Sequence, residues 1–189
     1  RMSAILVRPV REQFEHDRVI RSLQSRLRRR YAVVSNLGGQ MDASVKVGSR
    51  VIYPDLMLTS TQGRRRFHGV VEVETTESVN HLEAMAQWAH LGKVRGAFYL
   101  YVPAGAAEMA RRLCAGNKVA VTEIWSYHAV GDQMRFTMAH RAPPPPRRRG
   151  RSTPAKKQSA AARRSKSVAR GSAKPRAGLR KARRALKPK

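Results

Sequence analysis

The chain has 189 residues and sets 39 Lys/Arg against 12 Asp/Glu, a formal net charge of +27. The imbalance is uneven: residues 1–146 carry a net +9 and include every acid, the last being Asp132, whereas residues 147–189 carry 18 basic side chains and no acid. One cysteine, Cys114, excludes an internal disulfide and a cysteine zinc cluster, and no apolar run approaches the roughly 20 residues that span a bilayer. RMSAILVRPV is too short and too charged at its end for a secretory signal, so the expected setting is a reducing one: cytoplasm, nucleoid or, in a eukaryote, nucleus. No membrane partner is expected.

In chain order, residues 10–30 place Val19, Ile20, Leu23 and Leu27 on one face of an amphipathic helix whose Arg-rich end suits a helix C-terminus. YAVVSN reads as a strand, and after the turn residues NLGGQMD comes a second run, SVKVGSRVIYPDLML, with a bend or turn at GSR. STQGRRR is a hairpin loop and FHGVVEVET the strand that follows it. TESVNHLEAMAQWAHLG reads as a helix capped by Thr76 or Ser78 and stopped at Gly92. AFYLYVP is an apolar strand buried on both faces, AGAAEMARRLCAGN a helix that buries Cys114, KVAVTEIWSYHAV a further strand, and GDQMRFTMAH an edge strand entered through a Gly-Asp turn. The order α-β-β-β-α-β-α-β predicts an α/β domain over residues 1–141, a mixed sheet flanked by helices. APPPPRRRG then opens a Pro/Lys/Arg/Ala-rich tail, residues 142–189, too poor in apolar residues to fold alone.

Three acids stand in this basic chain where strands are expected. Glu72 and Glu74 alternate onto one face with His68 and Val70. A hairpin closed around residues 61–64 pairs Asp55 with Val70 and sets it one diagonal step from Glu72. Carboxylates so close repel and raise one another's pKa values, and a divalent cation relieves that; hard oxygen ligands at this spacing suit magnesium.

The order helix, strand, strand with Pro54-Asp55, strand with Glu72-Val73-Glu74, helix resembles the PD-(D/E)xK, or restriction-endonuclease-like, nuclease superfamily over roughly residues 10–128. The resemblance implies that Asp55 and Glu72 ligate magnesium with the Val73 carbonyl, with Glu12 of the first helix as a further acid and Gln87 as the glutamine that many members carry on the following helix. It also implies catalytic roles for Asp55, Glu72, Glu74 and Gln87 in phosphodiester hydrolysis. Glu74 stands where the family has its lysine, a variant that a minority of type II restriction enzymes share. Lys46 and Lys93 are candidates for a displaced positive charge. Many relatives are dimers, which leaves a homodimer open.

The tail resembles those of linker histones and bacterial nucleoid proteins. Its Arg147, Arg148, Arg149, Arg151, Lys156, Lys157, Arg163 and Arg164 are the candidate nucleic-acid contacts, by sequence-blind counterion release, and Arg149-Gly150-Arg151 resembles the core of an AT-hook. The six scattered histidines read as surface or satisfied core residues, and Trp88, Phe98, Tyr99, Tyr101 and Trp125 as core or rim packing. Two functions follow. One is a magnesium-dependent nuclease tethered to DNA by its tail. The other is a catalytically inactive nuclease-fold protein that binds DNA or associates with the nucleoid, and an RNA-associated basic protein stands third.

Overall fold

The computed structural model describes residues 9–143. The basic-tail contacts expected from Arg147 to Arg164 lie outside the described residues.

Helix α1 spans Val10–Leu27 and buries His16, Val19, Ile20 and Leu23, the stripe that 3.6-residue periodicity requires. Strands β1 (Tyr31–Ser35), β4 (Leu56–Ser60) and β5 (Phe67–Val73) form an antiparallel meander. The run SVKVGSRVIYPDLML is divided, with a turn at the GSR break. Val45–Val47 (β2) and Arg50–Ile52 (β3) make a separate two-stranded sheet, because Gly48 with φ 61° closes a tight turn between them.

Helix α2, residues 81–91, contains a π turn at Ala84–Trp88 between α-helical ends. Its cap is Asn80, whose side chain accepts the Glu83 N–H at 3.0 Å, rather than the expected Thr76 or Ser78. Ser78 Oγ instead accepts the Thr75 N–H at 2.8 Å. Strand β6 (Ala97–Pro103) follows, then helix α3 (Ala107–Gly116), β7 (Glu123–Val130) and β8 (Gln133–Arg141). Gly131-Asp132 makes the turn into the edge strand β8.

The six-stranded sheet has the order β1-β4-β5-β6-β7-β8, with β5, β6 and β7 parallel and the outer pairs antiparallel. Parallel neighbours need crossovers, and α2 and α3 supply them. Both cover one face, where Val70, Trp88, Leu91, Phe98, Leu100, Val102, Ala110 and Ile124 share a core. Helix α1 covers the other, on Leu56, Leu58, Val71, Val73 and Tyr127. Burial on both sides is why β6 is apolar throughout. Gly69 is required in β5, since a Cβ there would lie 2.2 Å from the Ala97 carbonyl oxygen of β6. Among the described residues no helix is long and apolar enough to cross a membrane.

Candidate active site

The acids gather at the carboxyl end of β5. The β4–β5 hairpin closes where the Ser60 N–H donates to Arg66 O, at 2.9 Å, and a bulge between Leu58 and Thr59 shifts the register further. Leu56 therefore faces Val71 and Met57 faces Val70, which leaves Asp55 across from Glu72 rather than from Val70. The loop and the bulge each displace the pairing by one residue, so the two acids come directly opposite one another.

Asp55 precedes the first paired residue of β4, so strand alternation does not fix its direction. Its Oδ2 accepts the Val73 N–H at 2.7 Å and lies 3.1 Å from His16 Nε2. The Asp55 N–H points to Glu72 Oε2 at 3.3 Å, and Glu72 Oε1 accepts from the Gln87 side-chain amide. Asp55 is thus tied to α1 and Glu72 to α2, and the two acids meet between the helical layers at the sheet end. Asp55 keeps 13% of its side chain open to solvent, while Glu72 is buried.

The start of β4 is held by Asn36. Its amide donates to Ala43 O at 2.7 Å and Pro54 O at 2.8 Å, its Oδ1 accepts the Ala43 N–H at 2.7 Å, and its own N–H bonds Asp55 O at 2.9 Å. One side chain therefore fixes the Pro54-Asp55 step against the loop after β1.

Glu74 departs from the expected role. It is fully buried, and its Oε1 accepts the Trp88 indole N–H at 2.7 Å. Its backbone N–H bonds Tyr101 O at 2.8 Å and its carbonyl accepts the Tyr127 hydroxyl at 2.7 Å. Glu12 also goes elsewhere: its carboxylate accepts the Thr75 hydroxyl. Among the described residues no group of three or more His, Cys, Asp or Glu is disposed to hold a metal ion. Lys46 and Lys93 are exposed, the first on β2 and the second beyond α2.

His16 was not singled out by spacing, yet it is 4% exposed and holds Asp55. The signal was its place on the stripe with Val19, Ile20 and Leu23. Trp88 packs in the core as expected and in addition carries the bond to Glu74. The π turn matters here: a wider turn reduces the angle between successive side chains, so Gln87 reaches Glu72 while Trp88 reaches Glu74.

A cavity of about 540 Å³ opens at the carboxyl ends of β6 and β7, between Pro103, Tyr127, His128 and the N-terminal half of α1 with Arg11, Phe14 and Arg18. Its wall shares Tyr127 with the Glu74 backbone. Open sheets take ligands at such strand ends.

For magnesium the donor set offers two carboxylates at neighbouring strand ends, linked through the Asp55 N–H and Glu72 Oε2. This ion is ordinarily held by one or two protein carboxylates, the rest of its shell being water and substrate phosphate oxygens. Comparison with protein-family models, with characterised proteins and with solved structures yields no match, so a functional reading rests on this geometry.

Proposed function

We propose that the domain is a nuclease-like module that acts on DNA, with magnesium-dependent phosphodiester hydrolysis at Asp55 and Glu72. The observation that carries this reading is the placing of these two acids opposite one another on adjacent strands. Each is oriented by a side chain from a different helix, His16 and Gln87. Asp55, Glu72 and the Val73 carbonyl would hold the ion, which when bound polarises a phosphate and lowers the pKa of an attacking water.

The chain's own residues do the positioning. The Val73 N–H and His16 fix Asp55, Gln87 fixes Glu72, and Asn36 fixes the backbone that carries Asp55. Arg11 and Arg18 give the neighbouring cavity a surplus of positive groups over Glu15, suited to a phosphate backbone. The basic tail raises the local concentration of duplex, making engagement by the domain effectively intramolecular.

A second reading is favoured by Glu74. The family's lysine is replaced here by a carboxylate committed to a buried indole, which suits a domain that retains the site and binds DNA without cutting it. Plasmid cleavage with magnesium, compared between the wild type and Asp55→Ala and Glu72→Ala variants, separates the two. Magnesium-dependent nicking lost in both variants supports hydrolysis. Equal inactivity of all three proteins, with equal DNA binding, rules it out.

A further inference from the structure

The end of the sheet away from Asp55 and Glu72 gathers arginines from separate parts of the chain. Arg28, Arg29 and Arg30 follow the last turn of α1, and Arg64, Arg65 and Arg66 close the β4–β5 hairpin; all six are exposed. Strand register brings the triplets together. Tyr31, next to Arg30, pairs with Ser60. Ser60 in turn bonds Arg66 O at 2.9 Å through its N–H and Arg64 O at 3.2 Å through its hydroxyl. The contributing segments, residues 28–35 and 59–71, contain no acid.

Rings lie beside the arginines. Tyr31 stacks on His68 with centroids 4.4 Å apart and 28° between planes, and His68 on Tyr99 at 6.1 Å and 16°. Each ring is only partly buried. His68 Nε2 and the Tyr99 hydroxyl are 3.0 Å apart, which holds the row in place. Glu123, the acid near Tyr99, is engaged by Arg141 at 2.9 Å and by the Trp125 indole at 2.8 Å. On strand β5, His68 of this row stands four residues before Glu72, about 13 Å at roughly 3.3 Å per residue.

We propose that this end of the sheet binds a single-stranded nucleic-acid segment, its phosphates on the two arginine triplets and its bases against the Tyr31–His68–Tyr99 row. Six exposed arginines on two adjoining segments call for a polyanion. Exposed phosphates would satisfy them in a duplex or in a single strand, but rings standing within the patch reward bases that are not already stacked in a duplex. The surface is separate from the chemistry at Asp55 and does not depend on it.

The test uses the full chain in EDTA, so failure of magnesium chemistry leaves it intact. An iodouracil-bearing single strand is photocrosslinked and the modified peptides are mapped. Crosslinks at Tyr31, His68 or Tyr99 are expected. Replacing Arg64, Arg65 and Arg66 together by alanine, in an exposed loop where folding is checked by circular dichroism, lowers the slope of log affinity against log salt by about 2, at roughly 0.7 per phosphate contact. Tyr31→Ala weakens the single strand more than the duplex of the same sequence. Crosslinks confined to residues beyond 146 with an unchanged slope overturn the proposal, as does an equal loss for single strand and duplex.

Discussion

Replacing Trp88 by phenylalanine isolates how a fully buried carboxylate is tolerated beside the proposed site. The substitution removes the 2.7 Å indole bond to Glu74 Oε1. A buried side-chain hydrogen bond contributes about 0.5–1.5 kcal/mol. The smaller ring also leaves a void in the core formed with Ala84, Leu91 and Phe98, a further cost of about 1 kcal/mol. The expected destabilisation is therefore about 2 kcal/mol. The void is the same whatever occupies position 74, whereas the bond exists only where that side chain offers an acceptor. In a Glu74→Leu background the loss should thus shrink by about 1 kcal/mol. Urea unfolding of the four proteins, followed by far-ultraviolet circular dichroism, gives the coupling. Additivity within about 0.3 kcal/mol would show that Trp88 serves only as packing, and the account of Glu74 would fail.

Asn36→Ala removes three side-chain hydrogen bonds and should lower stability by about 2–3 kcal/mol, measured by urea unfolding; any magnesium-dependent activity should fall with it, because Pro54 and Asp55 lose their tether. Burial lowers the His68 pKa below 6.5. The unfolded chain then binds the proton more readily, so this contribution to stability is present above pH 6.5 and is lost as pH falls toward the folded value. An NMR titration should find His68 below 6.5, and His68→Gln should flatten the decline in stability in acid; a normal titration would contradict this. Burial pushes the Cys114 thiol up to about 12, so it should react with a thiol reagent at pH 8 only as fast as the domain opens. Rapid labelling of the native protein would show that the α3 packing is wrong.

Much of the architecture was readable because periodicity reports burial. The α1 stripe, the apolar β6 and the Gly-Asp turn before β8 stand where the pattern put them. That Asp55 lies near Glu72 follows from element order and a hairpin between them, although Val70 was the expected partner, and Gln87 was a candidate only through the family resemblance. What was hidden depends on single-residue irregularities that no period announces. The bulge at Leu58/Thr59 moves Asp55 opposite Glu72. The π turn aims neighbouring residues 87 and 88 at Glu72 near the end of β5 and at Glu74 just beyond it. Glu74 looked like Glu72's partner because strand alternation gives the face and not the neighbour, and here the neighbour is an indole. His16 reads from the sequence as one of six scattered surface or satisfied core histidines, and its partner lies 39 residues away. Asn36 carried no signal beyond a turn composition, although it holds two loops at once.

The central claim is that Asp55 and Glu72 face one another as the ligands of a divalent cation. Calorimetric titration of the full chain with magnesium, without nucleic acid, tests it most directly. The wild type should bind one ion, and Asp55→Asn and Glu72→Gln should each lose that binding while remaining folded by circular dichroism. If the wild type takes up no magnesium, or if both variants bind it as well as the wild type does, these acids serve the fold alone and the claim fails.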